Sequence, residues 1–352
     1  MATVTLARHA MATRFEMVLH GGNAVALRAA GEEALAEIER LETQLSLYRN
    51  TSEIAHVNAR AAKQAVRVTP SLFALLQHAQ KLHQESSGAF DITIAPLVRC
   101  WGFMGGSGRF PDPAELAEAR ANVGMHLVQL RAQDFTVQFA REGVMLDLGA
   151  IGKGYAIECA AEVLRDAGIT SALLHGGTST VYGLGQPPEA EFWKVAVAGT
   201  EELNQLHKLN ELNELQASQR SQAATESGRD AFHQPAVRAS PMLFKLVPQM
   251  IPLKNEALSV SAVWGKSFQA EGKTFGHVLD PRSGQPATGA VLAAVVLPSA
   301  TETDALSTAL LTLSDEGHEK IAKLRPGMRT LLLSECDGGL KAETNGMDAH
   351  PK

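Results

Sequence analysis

The sequence is short of cysteine, of excess basic charge and of long apolar runs, and each shortage removes a class of protein. Three cysteines, Cys100, Cys159 and Cys336, stand far apart and odd in number, giving neither a disulfide framework nor the close ligand pairs of a structural zinc site. Cys159 falls in an apolar helical pattern and reads as a small core residue. Lys and Arg number 32 against 38 Asp and Glu, for a formal charge of −6. They are spread along the chain, so nucleic acid is not expected as a partner. No stretch approaches the roughly 18 consecutive apolar residues of a membrane helix, and no membrane span is expected. The opening "MATVTLARHAMATRFEMVLHGG" has no continuous apolar stretch ahead of a small-residue cleavage site, and no cysteine placed to take a lipid. The expectation drawn from it is a cytoplasmic protein.

What the chain has is enough apolar residue, 45% of 352, to bury a sizeable core in two domains or one domain with two lobes. Phe15 to His20 reads as a strand, and Asn23 precedes a long amphipathic helix in "AVALRAAGEEALAEIERLETQLSLY". A second helix is predicted from Pro70 to about Gln84, with Thr69 as its cap and Pro70 in the first turn. "SSGAFDIT" reads as a turn into a strand, and "HLVQLRAQDFTVQFAREGVMLDLG" as three short strands. A glycine-rich stretch then opens a helix that stops at Gly168. Beyond it, strands alternate with polar segments, and a helix is predicted near Thr303, followed by a last helix and strand. Several adjacent strand runs beside helices indicate α+β rather than strict βαβ alternation. Residues 201–240 are polar and low in complexity, with leucines every third position; that spacing drifts around a helix, so the segment reads as a surface insertion.

Several stretches could carry chemistry. In "LDLGAIGKGY" three glycines and Lys153 stand at a helix start, where unpaired N–H groups and a cation suit phosphate, although the spacing is neither a Walker nor a dinucleotide motif. Asp304 and Thr308 in "TETDALSTAL" share one helix face and offer hard oxygens of the kind that hold Mg²⁺. The competing reading makes Thr303 or Asp304 a helix cap. "HVLDPRSG" reads as a type I turn beside His277, whose imidazole could act as a general base or simply be structural. Asp91 and Tyr48 read individually as structural; a tyrosine can also stack on a flat ring.

Taken together and in order, "MATRFEM", "LSLYRNTSEIAHVN", "SSGAFDITIAPLV", "LDLGAIGKGYAIE", "HGGTSTVYGLG", "FGHVLDPRSGQP" and "TDALSTAL" resemble the ApbE family of FAD:protein FMN transferases. The resemblance implies a two-lobed α+β fold of largely antiparallel sheets with flanking helices. It occupies residues 1–335 as a single domain, with the 201–240 insertion and a 336–352 tail. It further implies a substrate, FAD, bound with Mg²⁺, whose FMN half passes to a threonine hydroxyl of an acceptor protein with release of AMP. Hydrolysis of FAD to FMN and AMP, and flavin binding without turnover, are the alternatives. On this resemblance Ala150, Asp304 and Thr308 hold the metal. Met11, Tyr48, Ala89, Phe90, Asp91, Asp147, Lys153 and Val278 contact FAD, and His277 is the base. Ala12 stands where the family usually has glycine, and Gly152 where alanine is common.

Overall fold

Apolar residues at every second position of the first twenty place two strands against one core. In the computed structural model, which describes residues 1–197, 250–263, 266–270, 273–336 and 339–347, these are β1 (Ala2–Ala10) and β2 (Thr13–Gly21). They pair antiparallel from Ala2–Gly21 to Ala10–Thr13. Sequence reading found only the second, whose Phe15, Met17 and Leu19 point inward. Met11 and Ala12 join them, both left-handed at φ 49° and 58°, as a two-residue hairpin turn with strand twist demands.

Helix α1 (Ala24–Leu45) follows, with the Asn23 side chain accepting from the N–H groups of Val25 and Ala26. Its stripe of Leu27, Ala34, Leu35, Ile38 and Leu41 is buried. Next come α2 (Glu53–Arg60), β3 (Val66–Arg67) and α3 (Pro70–Glu85), the last with Thr69 and Pro70 in the predicted places. The expected strand after "SSGAF" does not form. Asp91 Oδ1 takes both the N–H and the hydroxyl of Thr93, at 2.7 and 2.6 Å, which curls the chain into α4 (Ala95–Cys100). After α5 (Pro113–Ala121), strands β4 (Val128–Arg131) and β5 (Thr136–Phe139) join β3 in a small sheet. The third expected strand, in "GVMLDLG", does not form, and the stretch joins no sheet among the described residues. The Asn58 amide bonds both the carbonyl and the N–H of Leu146, and the Ile92 carbonyl takes the Asp147 N–H.

Helix α6 (Gly152–Asp166) ends at Gly168, whose φ of 78° no β-carbon would favour. Then follow β6 (Ser171–Gly176), β7 (Thr180–Gly185), β8 (Trp193–Val195), β9 (Ile251–Leu253), β10 (Glu256–Ala262), β11 (Ser267–Ala270), β12 (Lys273–Gly276) and β13 (Ala290–Leu297). The chain continues through α7 (Ala300–Ala322), β14 (Arg329–Cys336) and β15 (Gly339–Asn345). The two late helices expected from sequence are both present, run together as α7 and divided by a kink at Ser314, whose φ is 54°. The 201–240 insertion lies outside the described residues. The 336–352 tail is corrected in part: β15 is the edge strand of the main sheet, paired with β14 from Asn345–Thr330 to Gly339–Cys336.

That sheet has the order β1-β2-β6-β7-β10-β13-β14-β15, antiparallel throughout. Helices α1, α6 and α7 share one core with Phe15, Leu174, Val295 and Leu332. On the other face Leu258, Leu292, Val296 and Leu331 pack with Trp193, Ile251 and Leu253 of the β8–β9 pair. Strand β13, "AVLAAVVL", is buried along its whole length, as a central strand covered on both faces must be. A separate small cluster forms around Trp101, Phe103, Leu97 and Leu279.

Candidate functional site

The site begins where α6 crosses α7. The α7 N-terminus is served by the Ser299 hydroxyl, which accepts from Glu302 N–H, and by Glu158 of α6, which accepts from the Ser299 hydroxyl and the Thr301 N–H. The reading of Thr303 or Asp304 as the cap is thereby overturned, and Asp304 is free for other work. Its Oδ2 accepts the Gly154 N–H at 2.9 Å, and Lys153 Nζ lies 3.7 Å from Oδ1. The approach is close: a β-carbon on Gly154 would stand 2.1 Å from the Ala300 carbonyl oxygen and 2.7 Å from Asp304 Cβ. Lys153 also donates to the Gly149 carbonyl at 3.1 Å. Two amides of the glycine-rich opening are therefore taken internally, Gly152 by Leu148 O and Gly154 by Asp304. The cation available for an anion there is Lys153.

One turn along α7, the Thr308 hydroxyl sits 3.1 Å from the Ser261 hydroxyl of β10 and donates to the Asp304 carbonyl. Ser261 also meets Ser307 at 2.9 Å, and Ser259 meets Thr303 at 2.8 Å. Hydroxyls at alternate positions of β10 thus face the helix and hold the Asp304–Thr308 face in place.

His277 approaches from the opposite wall. Its N–H donates to the Lys266 carbonyl at 3.0 Å, and its Nδ1 lies 3.2 Å from the same oxygen. Burial pushes its imidazole below the ordinary range; the hydrogen bond to Lys266 opposes this, and the charges of Lys266 and Lys153 add to it. The turn after it is wider than the predicted type I turn: the Gly284 N–H reaches the Asp280 carbonyl at 2.8 Å, and Asp280 N–H donates to Gln285 O. Asp280 Oδ1 accepts from the Arg282 backbone, and the Trp101 indole N–H donates to the Gly284 carbonyl.

Between these walls is a cavity of about 700 Å³, within the size range of small-molecule sites. Tyr48, Ala89, Phe90, Asp91, Asp147, Ala150, Lys153, His277, Val278, Asp304 and Thr308 all line it. Met11 lines an adjoining cavity of about 520 Å³ that shares Tyr48, Asp147, Gly149 and Lys153 with the first. Tyr48 is 66% exposed, so its ring stands open to a stacking partner where the two cavities meet. Asp91, by contrast, is buried with its carboxylate engaged: Thr93 holds Oδ1 and His83 lies 3.1 Å from Oδ2. What its turn presents to the cavity is framework more than charge. Asp147 accepts the Gly149 N–H at 2.8 Å; burial pushes its carboxyl up, against that hydrogen bond and the Lys153 charge.

Sequence reading did not single out Phe103, Thr178, Ser179, Ser261 or Lys266, which line the same cavity. For Ser261 there was a signal, the alternating hydroxyls of "SVS" on a strand. For Lys266 and Phe103 there was none, since only the tertiary fold brings them to His277. Among the described residues no cluster of three His, Cys, Asp or Glu side chains is placed to hold a metal, and no helix is long and apolar enough to cross a membrane.

The proteins most informative for comparison are bacterial. The FAD:protein FMN transferase of Treponema pallidum (strain Nichols) is 28% identical over 316 residues, 88% of this chain and 78% of that protein. Its namesake in Klebsiella pneumoniae (strain 342) is 25% identical over 321 residues, 90% and 79%. The fold matches the crystal structure of the ApbE protein of Thermotoga maritima with a TM-score of 0.75 at 23% identity, covering 97% of this chain and 96% of that one. The apo form of the Pseudomonas stutzeri flavinyl transferase ApbE matches at 0.75 and 22%, covering 98% and 95%. Residues 11–332 match the sequence pattern of the ApbE family, and the chain belongs to that family.

Proposed function

We propose that this protein is a flavin transferase that binds FAD and moves its FMN half to a threonine hydroxyl of an acceptor protein, releasing AMP. The observation that carries the reading is that His277, Lys153, Asp304 and Thr308, drawn from three distant segments, line one cavity of ligand size. Two relatives matched over 78% and 79% of their length bear the name FAD:protein FMN transferase.

The threonine oxygen attacks the phosphorus on the riboflavin side of the pyrophosphate. A new P–O bond forms, the P–O bond to the AMP phosphate breaks, and the threonine proton passes to Nε2 of His277. Nδ1 faces a carbonyl, which only accepts, so Nε2 holds the lone pair. Lys153 offsets charge on the phosphates, and the exposed face of Tyr48 receives a flat ring.

The donor set fits Mg²⁺: one carboxylate, Asp304, with the Thr308 hydroxyl and the Ala150 carbonyl, all hard oxygens, leaves positions for water and phosphate. When bound, the ion supplies charge neutralisation at the pyrophosphate.

Mass spectrometry of candidate acceptors after incubation with FAD and Mg²⁺ tests the reading, with a threonine carrying one FMN as the expected product. Rapid release of FMN and AMP without any acceptor would identify a hydrolase instead. Asp304→Asn keeps an acceptor for the Gly154 N–H while removing the charge, and is expected to abolish metal-dependent turnover in a folded protein. Full activity in Asp304→Asn would remove Asp304 from the metal site.

A further inference from the structure

Five aromatic rings gather beside His277. Phe268 of β11 and Phe275 of β12 are direct cross-strand partners and stack at 5.4 Å. Trp101 lies 5.7 Å from Phe275, Phe103 lies 5.8 Å from Phe268, and Phe110 meets Trp101 and Phe275 edge-on. Among the described residues β11 and β12 pair only with each other, and a lone two-stranded hairpin is marginal in water. The rings are what anchor it.

The hairpin matters because Lys266, at its start, supplies the carbonyl that faces both the backbone N–H and the Nδ1 of His277. Phe103 completes the arrangement. It is 3% exposed, and its ring meets the imidazole edge-to-face at 6.5 Å and 72°, within the range of favourable aromatic pairs. It thus touches both the anchored hairpin and the ring that the hairpin orients. Phe103 carries no group that could act chemically, and it stands in a different element from either.

We propose that Phe103 is a positioning residue for His277: its ring confines the imidazole to the orientation in which Nδ1–H donates to the Lys266 carbonyl and Nε2 receives the acceptor's proton. This rests on the reading of His277 as the base. Removing the contact leaves the imidazole free to turn and to sample the other tautomer, and small displacements of a catalytic group are costly in rate.

The test compares Phe103→Leu with Phe103→Tyr in the full-length protein, using ¹⁵N NMR of the histidine ring nitrogens, with the His277 signals assigned by their loss in His277→Ala. The wild type is expected to show a single tautomer protonated at Nδ1. Phe103→Leu should show mixed tautomers and a kcat lowered about tenfold, with KM for FAD within about twofold, and Phe103→Tyr should restore both. A wild-type ring protonated at Nε2, or a Phe103→Leu variant whose tautomer is unchanged whatever its rate and melting temperature, overturns the proposal. Failure of the underlying reading looks different: His277→Ala would then transfer FMN at the wild-type rate while the ring signals of Phe103→Leu still changed.

Discussion

Burial lowers the His277 imidazole pKa from its ordinary value of 6.5, which favours the neutral ring at neutral pH. On the proposed role of His277 as base, the neutral form is the active one, so kcat/KM is expected to rise with pH through an apparent pKa below 6.5 and to stay level above it. His277→Ala should erase that acid limb and slow transfer by about 10² to 10⁴, while FAD binding, followed by titration, is largely kept. A second residue-scale expectation concerns the first hairpin. Ala12 has a φ of 58°, which costs an L-residue about 1–2 kcal/mol, and glycine returns part of that gain as unfolded-state entropy. Ala12→Gly should therefore stabilise the protein by roughly 0.5–1 kcal/mol, read as a shift of the urea midpoint at unchanged slope. The family's usual glycine was visible in sequence as a departure at this position. That both Met11 and Ala12 are left-handed depends on the strand pairing around them.

At the scale of elements, the crossing of α6 and α7 sets the Asp304–Thr308 face proposed to hold the metal. Gly154→Ala sets a methyl against the Ala300 carbonyl and is expected to cost about 1–3 kcal/mol as overpacking. It should also weaken Mg²⁺ dependence by moving Asp304 away from the Gly154 N–H. Gly152→Ala is the control: outside its own helix backbone and chain neighbours, the nearest atom to its new carbon is Leu148 Cβ at 4.0 Å, so stability and turnover should hold. Denaturant titration and Mg²⁺ titration of activity separate the two variants. Helix periodicity, the Asn23 and Thr69 caps and the Gly168 stop were all legible, because capping and stripes are local. The α7 cap was misread because half of it, Glu158, comes from another helix. The two false strands failed for a related reason: the Asn58 and Asp91 side chains satisfy backbone groups, of Leu146 and Thr93, that a strand would have offered to a neighbour.

Across the whole molecule, the cavities draw on residues from Met11 to Thr308, so a ligand that fills them ties α1, α6, α7 and the segment of His277 together. FAD at about 100 times its Kd is expected to add about 2.7 kcal/mol to stability. Calorimetry over an FAD series should show the melting temperature climbing with concentration, with a smaller Mg²⁺-dependent increment in Asp304→Asn. A melting temperature indifferent to FAD would count against this cavity as the flavin site.

The sequence by itself determined the α+β class, the long helices and the ordered motif set, since periodicity, turn residues and residue spacing are properties of neighbouring positions. Tertiary structure decided which groups meet at the site. The pairing of Asp304 with Gly154, 150 residues apart in sequence, and of His277 with the Lys266 carbonyl and the Phe103 ring, exists only once sheet order and helix crossing are set. Hydrogen bonds and ring contacts act over a few ångströms in space, a proximity that residue order does not encode.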